Sequence, residues 1–286
     1  MPRFSIVIVC KGRLEHLRQS LPPALAQPDT ETIVVDYDCP EGTAVEVARD
    51  FPAARVVKVD EAPLLNMSKA RNLGAAAAQG EWLVFVDADI VIARGFVAGI
   101  APHLMRSKVF RFGPDKGGIG GTNGTCILHR DDFTLTGGYD EVLEVYGGED
   151  TDIYIRLAML GVQSEILPID LIDAVVAHDD AARVRFTRYR SKIKHQRTNG
   201  AYLMVKGTLL RILGPKGLAP EQCATLYGLI RDVIEQAQDT PDKPVHFTLD
   251  LPPDRAFMPM PGWDCVRHLV FDLTPVEVTR GVVDKV

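Results

Sequence analysis

The stretch Glu81-Trp82-Leu83-Val84-Phe85-Val86-Asp87-Ala88-Asp89 carries the strongest information about the fold. Its apolar residues predict a strand that is buried on both faces, as in a parallel sheet. Two carboxylates, one residue apart, follow this strand, and strand burial does not explain them. In open α/β sheets, ligands bind at the carboxyl ends of the strands. An Asp-x-Asp sequence there can hold a hard divalent cation, and the cation can hold a diphosphate. The alternative is an ordinary Asp-rich turn.

The composition is that of an ordinary globular protein. The 286 residues are enough for one large α/β domain, alone or with a small appendage. A net charge of −6 argues against non-specific nucleic-acid binding. Five scattered cysteines without C-x-x-C spacing predict buried thiols in a reducing compartment. We find no signal-peptide pattern and no apolar run of about 18 residues, so we expect a cytoplasmic protein without a transmembrane segment.

Strand-like and helix-like segments alternate through the amino-terminal third of the chain. Apolar runs predict strands at 4–10, 31–36, 55–59 and within 81–89, with helices at 14–25, 42–51 and 66–79 between them. This alternation predicts βαβ units and a mostly parallel sheet. Asp36, Asp87 and Asp89 follow strand ends at the same edge of that sheet, so we expect them to line one cleft.

Farther along, the sequence predicts a helix at 90–104, a glycine-rich segment at 108–125 and a strand at 125–129. The glycine-rich segment suits a mobile loop or a close approach of the backbone to a ligand, or it is a plain connector.

Three other nucleotide-binding classes lack their motifs. A dinucleotide-binding fold needs G-x-G-x-x-G after the first strand, where this chain has Cys10-Lys11-Gly12-Arg13. A P-loop is absent as well. A sugar nucleotidyltransferase would have a glycine-rich first loop, and the single glycine here disfavours that class.

A second acidic group follows two glycines, in Gly147-Gly148-Glu149-Asp150-Thr151-Asp152. The apolar residues after it predict that these acids form the first turn of a helix. Capping and the helix dipole explain acids at that position structurally. They do not explain the glycines, which let a substrate pass close to the carboxylates. A carboxylate at a helix N-terminus also suits a general base for a hydroxyl nucleophile.

His178 follows a strand-like run at 171–177 and lies beside two acids. A lone histidine is usually structural, but one at a strand end beside acids is a candidate metal ligand. The basic run from Arg183 to Arg197 predicts mainly a solvated helical face. One or two of its cations near the cleft could neutralise a leaving diphosphate, and nucleic-acid binding is the minor alternative.

Four segments together resemble GT-A-fold glycosyltransferases of the large family-two type. They are SIVIVCKGR (5–13), ETIVVDYDCPEG (31–42), NMSKARNLGAAAAQGEWLVFVDADI (66–90) and GGYDEVLEVYGGEDTDIYIRLAMLG (137–161). The last resembles the acceptor-site segment shared by galactosyltransferases and polypeptide N-acetylgalactosaminyltransferases. The resemblance covers roughly residues 4–200. It implies the GT-A, Rossmann-like α/β fold, with a mostly parallel sheet flanked by helices.

The resemblance implies a nucleotide-sugar site built from the first, second and fourth strands. Asp36 would accept a hydrogen bond from the base, and Arg71 would lie near the ribose and phosphates. The remaining residues of this group are Val9, Cys10, Lys11, Arg13, Asp87 and Ala88. The first loop departs from the family's more usual Thr-x-Asn-Arg, which leaves its nucleotide contacts open.

The resemblance also implies the metal site and the acceptor side. Asp89 would ligate Mg²⁺ or Mn²⁺, and His178 would complete the metal site. Asp150 would be the catalytic base, with Glu149 helping to bind the acceptor.

The implied activity is that of a metal-dependent hexosyl- or N-acetylhexosaminyltransferase in glycan biosynthesis. It would move a sugar from a UDP- or GDP-sugar to a hydroxyl group of a saccharide or other acceptor, with inversion through Asp150. Three alternatives stay open: a non-catalytic nucleotide- or glycan-binding homologue, a retaining glycosyltransferase and a sugar nucleotidyltransferase.

The carboxyl-terminal part gives weaker signals. It predicts helices at 201–213 and 220–238 and short strands at 245–251 and 268–273. We therefore divide the chain into a catalytic domain at 1–205 and a small α+β extension at 206–286. The extension would pack on the catalytic domain, cap the acceptor side or form a homodimer. Trp263 and Phe257 would stack on a sugar ring or be buried anchors.

Overall fold

The computed structural model describes residues 1–113, 121–144, 147–176, 184–189, 192–236, 244–250 and 268–274. Within these residues there are eleven strands in one large and two small sheets. Their bounds are β1 Phe4–Cys10, β2 Thr30–Tyr37, β3 Arg55–Val59, β4 Trp82–Asp87, β5 Ile90–Ile92, β6 Lys108–Phe112, β7 Cys126–His129, β8 Gln163–Leu167, β9 Ile172–Val175, β10 Val245–Asp250 and β11 His268–Leu273.

Eight α-helices accompany the strands in the described part of the chain. They are α1 Leu14–Leu25, α2 Thr43–Asp50, α3 Met67–Ala77, α4 Phe96–Ile100, α5 Arg130–Thr136, α6 Glu149–Met159, α7 Lys192–Leu213 and α8 Pro220–Gln236. Among the described helices, none is both long enough and apolar enough to span a membrane.

The main sheet has the order β3-β2-β1-β4-β7-β6-β8. The first four of these strands are parallel to one another. Strand β7 runs in the opposite direction and pairs antiparallel with β4 and β6. At the carboxyl edge, Cys10 pairs with Asp36 on one side while Val9 pairs with Asp87 on the other. The predicted α/β fold with a mostly parallel sheet, and the shared edge for these two acids, are confirmed.

The central strand β1 is buried on both faces because its side chains alternate between two hydrophobic cores. Ile6 and Ile8 join the core beneath α1, whereas Val7 and Val9 join the core beneath α3. Gly74 lets α3 approach the sheet closely, since a Cβ atom there would lie 2.3 Å from the Val7 side chain. This close packing fixes where α3 presents its side chains at the edge of the sheet.

Two local predictions in the middle of the chain are wrong. The predicted helix at 90–104 contains strand β5, which pairs antiparallel with β9, and only the short α4 is helical there besides a 3-10 turn. The start of the predicted glycine-rich loop is strand β6. The apolar β-branched residues of β5 and the alternation in Lys108–Phe112 both favour strands once a partner strand lies alongside. Strand β8 and helix α5 were not predicted.

The carboxyl-terminal elements form a third hydrophobic cluster. It joins α7 and α8 with Leu143 and with the inner face of the β10–β11 hairpin. The strands predicted at 245–251 and 268–273 are confirmed. Helix α7 continues across the predicted domain boundary between residues 205 and 206. The division into two domains stays a prediction.

Candidate active site

Arg71 is the centre of a buried ion cluster at the carboxyl edge of the sheet. Its guanidinium donates to Asp87 at 2.8 Å and to Asp150 at 2.6 Å, and it lies 3.5 Å from Glu149. Only 4% of the arginine side chain is exposed. Three elements therefore meet here: α3 brings Arg71, β4 brings Asp87, and the first turn of α6 brings Glu149 and Asp150. Sequence reasoning named all four residues, and the structure brings them together.

The cluster contains three carboxyl groups and one guanidinium, so it carries surplus negative charge when all are ionised. Burial raises the pKa of Asp150, and the neighbouring Glu149 and Asp87 raise it further, although Arg71 opposes this. Burial also raises the pKa of Glu149. A carboxylate whose pKa is raised is a stronger base, and a surplus of negative charge attracts cations.

Asn72 holds the loop that borders this cluster. Its side-chain oxygen accepts from the Tyr139 N–H at 2.8 Å, and its amide nitrogen donates to the Tyr139 carbonyl at 2.9 Å. The ring of Tyr139 then lies 5.2 Å from the Arg71 guanidinium carbon. The adjacent residues Arg71 and Asn72 thus have distinct tasks, one binding the acids and the other fixing the backbone around them.

Gly124 makes room for the cluster. A Cβ atom at this position would lie 2.4 Å from Asp87 Oδ2 and 2.5 Å from Arg71 Nη2. Any other residue would displace one of these two groups. Sequence reasoning missed Gly124, because a glycine in a glycine-rich segment gives no sign of which charged side chains it faces.

The acids at the start of α6 divide between two sides of the helix. Gly147 and Gly148 have φ values of 83° and 100°, a left-handed conformation that favours glycine. Glu149 and Asp150 then face Arg71, whereas Asp152 faces α7 and lies 2.5 Å from Lys206 Nζ. The interpretation that acids in the first turn of a helix serve structure therefore holds for Asp152, which belongs to a separate ion network.

That second network is also buried, but its charges balance. Lys206 contacts Asp140 at 2.6 Å as well as Asp152, and Arg156 donates to Asp152 at 2.7 Å. The hydroxyl of Tyr202 donates to Asp140 at 2.6 Å. Two cations thus meet two carboxylates. The sequence offered no signal for this network, because its members lie far apart along the chain.

The predicted nucleotide contacts at the ends of β1 and β2 have partners within the protein. Lys11 Nζ donates to the carbonyls of Tyr37, Asp38 and Ala62 at 2.7 to 3.0 Å. Asp36 is 3% exposed, and its two oxygens accept from the backbone N–H groups of Cys39 and Ala44. These residues stabilise the loops at this edge, and a nucleotide contact by any of them stays a prediction.

Three further predicted residues lie at the same edge. Val9 and Cys10 are buried in the sheet, and Arg13 occupies the N-cap position of α1. Phe186, from the described part of the predicted basic run, lies over this loop. Its ring is 5.3 Å from Lys11 Nζ. Its carbonyl accepts from Leu65 N–H at 2.7 Å, which holds Phe186 in place. Its ring also lies directly over Gly12, where a Cβ atom would overlap it.

Ala88 and Asp89 continue from β4 beyond Asp87. Ala88 is buried, and its carbonyl accepts from the Ser20 hydroxyl at 2.8 Å. Asp89 is half-buried, and its backbone carbonyl accepts from Val176 N–H at 2.7 Å. His178, Phe257 and Trp263 lie outside the described residues. No group of three or more histidine, cysteine or acidic side chains in the described part of the chain could hold a metal ion by itself.

Comparisons with known families agree with this architecture. Residues 5–121 match the family model described as Glycosyl transferase family 2, and residues 112–205 match the model described as N-terminal domain of galactosyltransferase. Consecutive matches thus span both the strands with Asp36 and Asp87 and the helix with Glu149 and Asp150. The chain belongs to the GT-A-fold glycosyltransferases. It is family-two-like in its first part, with a galactosyltransferase-type segment after it, which confirms the resemblance seen in the sequence.

Two solved structures share the fold. The mannosyltransferase PcManGT from Pyrobaculum calidifontis, in complex with GDP-Man and Mn²⁺, is 17% identical over 84% of this chain and 76% of that chain, with a TM-score of 0.54. S. aureus TarS 1-349, in complex with UDP-GlcNAc, is 15% identical over 83% of this chain and 73% of that chain, with a TM-score of 0.58. At such identities the similarity shows the fold alone. No curated protein matches the chain significantly.

Proposed function

We propose that this protein is a metal-dependent, inverting glycosyltransferase that moves a sugar from a nucleotide diphosphate sugar to an acceptor hydroxyl, with Asp150 as the base. The observation that carries the proposal is the convergence of Asp87, Glu149 and Asp150 on Arg71. This convergence joins the carboxyl edge, where ligands bind in α/β sheets, to a helix start that bears two further acids. The donor and the acceptor would therefore meet around Arg71.

Asp150 has the properties of a general base. Its raised pKa keeps its affinity for a proton high, and Arg71 holds one of its oxygens in a fixed position at 2.6 Å. The acceptor O–H bond would break with its proton passing to Asp150, while the acceptor oxygen forms a bond to the anomeric carbon. The bond from that carbon to the diphosphate breaks at the same time, and its electron pair leaves with the diphosphate. Attack from the opposite face inverts the anomeric centre.

Arg71 and Asp87 would position the two substrates. Because Arg71 donates to both Asp87 and Asp150, the donor side and the acceptor side share one rigid link. Glu149, the third acid of the cluster, is suited to accept a hydrogen bond from a sugar hydroxyl. Fixed polar groups of this kind stabilise developing charge without reorganisation during the reaction.

The carboxylates at the end of β4 fit a divalent cation. Mg²⁺ and Mn²⁺ prefer oxygen ligands, and Asp87 and Asp89 supply carboxylates that are only half-buried at the edge of the sheet. No group of three or more histidine, cysteine or acidic side chains in the described residues could hold a metal ion by itself, so the proposed site needs a ligand from outside those residues and the diphosphate of the donor. We propose Asp89 and His178 as the protein ligands. When bound, the cation would neutralise charge on the leaving diphosphate.

The proposal is tested by nucleotide-sugar binding and turnover. UDP- and GDP-sugars are screened by thermal shift with and without Mn²⁺, since the two structural neighbours contain one donor of each class. We expect a shift that requires the metal and that Asp89→Asn removes. The matched control is Asp60→Asn, whose exposed carboxylate pairs only with Lys58 among the contacts seen.

Turnover then separates the remaining alternatives. Release of the nucleoside diphosphate from the sugar donor supports the transferase. Pyrophosphate release from a nucleoside triphosphate would instead indicate a nucleotidyltransferase, and binding without hydrolysis or transfer would indicate a non-catalytic homologue. The stereochemistry of the product decides between inversion and retention. The acceptor, the cytoplasmic location and a homodimer remain predictions.

A further inference from the structure

Two cysteines meet at the carboxyl edge of the sheet, beside the predicted nucleotide contacts. Cys10 ends β1 and is fully buried, whereas Cys39 lies in the loop between β2 and α2 and is half-buried. Cys10 pairs in register with Asp36, whose carboxylate accepts from the Cys39 N–H at 2.8 Å, and each thiol shifts the pKa of the other. The Thr43 hydroxyl lies 3.3 Å from Cys10 Sγ and also contacts Cys39. The expectation of uniformly buried thiols therefore does not hold for Cys39.

The sulfur of Cys39 is surrounded by hydrogen-bond donors. The Gly12 N–H donates to it at 3.1 Å, and the Glu41 N–H donates as well. The loop that carries Cys39 leads directly into the N-terminus of α2, whose dipole favours negative charge. The nearby ionisable side chains are Lys11, which is cationic, and Asp36, Asp38 and Glu41, which are acidic. The backbone N–H donors favour the thiolate form of Cys39 although these acids lie nearby.

The two thiols consequently differ in protonation. Hydrogen bonding from Cys10 lowers the pKa of Cys39 to about 5, against the effect of burial. The same contact, together with burial, raises the pKa of Cys10. At neutral pH the pair thus holds one proton, on Cys10. A half-exposed thiolate beside a second thiol is the arrangement of a reactive and a resolving cysteine.

The other described cysteines lack these features and serve as internal references. Cys126 is buried, and burial raises its pKa to about 11. Burial also raises the pKa of Cys223. Neither has a backbone N–H donor at its sulfur among the bonds seen, so reactivity is expected at Cys39 alone among the four.

We propose that Cys10 and Cys39 form a redox-sensitive pair that a hydroperoxide converts into a disulfide. The Cys39 sulfur attacks one oxygen of the O–O bond, which breaks; the other oxygen leaves with the electron pair, takes a proton, and Cys39 becomes a sulfenic acid. The Cys10 sulfur then gives up its proton and attacks Cys39 Sγ, and the sulfenic oxygen leaves as water. Overall, two thiols lose two electrons, and the hydroperoxide is reduced to an alcohol, or to water, plus one further water.

The disulfide would change the edge where the nucleotide is expected. It joins the last residue of β1 to the β2–α2 loop, and it removes the anionic acceptor of the Gly12 N–H. The first loop therefore loses one of the bonds that fix its backbone. This inference concerns thiol chemistry and does not depend on the proposed transferase activity.

The test uses the reduced full-length protein and hydrogen peroxide. We expect loss of two of the five thiols, a Cys10–Cys39 disulfide in the peptide map and full reversal by dithiothreitol. Because nearly all of Cys39 is thiolate at pH 7, it should react about tenfold faster than Cys126 or Cys223. Equal rates at these cysteines, or a disulfide that joins other residues, would overturn the proposal.

Three variants assign the roles. Cys10→Ser should stop at a sulfenic acid on Cys39, which dimedone traps, and Cys39→Ser should leave Cys10 unreactive. Cys223→Ser is the control and should form the disulfide as the wild type does. If Cys10→Ser fails to fold, the wild-type peptide map still decides, because reaction without a Cys10–Cys39 link contradicts the pair. All readouts are thiol counts and masses, so a failure of the glycosyltransferase proposal would not alter them.

Discussion

The acids in the first turn of α6 belong to two buried ion networks that differ in the balance of their charges. On one side, Asp87, Glu149 and Asp150 share the single cation Arg71. On the other side, Asp140 and Asp152 meet Lys206 and Arg156. Both networks are desolvated and both contain short contacts. The difference lies in the number of cations, and it decides what each network can do.

The two networks shift the pKa of one acid each, Asp150 and Asp140, in opposite directions. Burial raises the pKa of Asp150 despite the opposing charge of Arg71, and the neighbouring Glu149 and Asp87 raise it further. Burial would also raise the pKa of Asp140, but Lys206 and Tyr202 lower it below the ordinary value. The balanced network therefore favours the ionised form of Asp140 and suits a structural role, whereas the surplus of acids around Arg71 supports the proposed role of Asp150 as a base.

The largest expected effect is that of Asp150→Asn on transfer. Loss of the proposed general base should lower kcat by about 10²- to 10⁴-fold, while donor binding is retained because the proposed metal ligands are intact. Steady-state kinetics and donor titration measure the two effects. Asp131→Asn, which alters an exposed acid, is the control. Normal transfer by Asp150→Asn would show that the base lies elsewhere.

Removal of Lys206, one of the two cations of the balanced network, should lower the stability of the protein. Lys206→Met leaves Asp140 and Asp152 without their shared cation, and breaking such a buried pair costs about 3–5 kcal/mol of the free energy of unfolding. Denaturant unfolding measures this loss. Lys58→Met removes an exposed cation and should change stability by less than about 1 kcal/mol. Equal effects of the two variants would contradict a structural role for the network.

Gly124→Ala should disturb the unbalanced network without changing its charge. The new methyl group would displace Asp87 or Arg71, and a misplacement of about 1 Å can lower the rate by about 10²-fold. The comparison is Gly228→Ala in α8, where a Cβ atom meets nothing within 4 Å. That variant should keep full activity in the same assay. Full activity of Gly124→Ala would mean that the cluster tolerates displacement.

The smallest expected effect is a separation of two pH dependences. The raised pKa of Asp150 means that protonation stops transfer at a pH above about 3.9, the ordinary pKa of aspartate. Asp140 behaves oppositely: its folded-state pKa is lowered, so its stabilisation is present above about 3.9 and is lost as the pH falls through the folded value. On acidification kcat should therefore fall before the protein unfolds. A fall of kcat and unfolding of the protein at the same pH would contradict this difference between Asp150 and Asp140.

The sequence predicts the sheet and the acids of the candidate site because these depend on local patterns. Apolar runs that end in Asp36 and Asp87 identify both strands and the shared edge. The glycines before Glu149 and Asp150 mark the acidic helix start, and the resemblance adds Arg71. Short β5 was predicted as helix because its partner β9 lies about 80 residues away, and local spacing carries no trace of that pairing.

The functions of individual acids were harder to predict than their positions. Glu149, Asp150 and Asp152 occupy one helical turn, and which cation each of them meets depends on how α3 and α7 lie against α6. Asp36 and Asp87 both follow an apolar run in the sequence. In the structure, however, the carboxylate of Asp36 accepts hydrogen bonds from two backbone N–H groups. The partners that distinguish these acids come from distant segments, which local spacing does not reveal.

The distance in sequence between Asp152 and Lys206 has a consequence for biosynthesis. Lys206 follows Asp152 by 54 residues and Asp140 by 66. During vectorial synthesis, strands β1 to β4 can pair as soon as they leave the ribosome, but until α7 emerges Asp140 lacks its cation and Asp152 has only Arg156. We therefore expect the start of α6, with Glu149 and Asp150, to become ordered late, in one step with the third hydrophobic cluster.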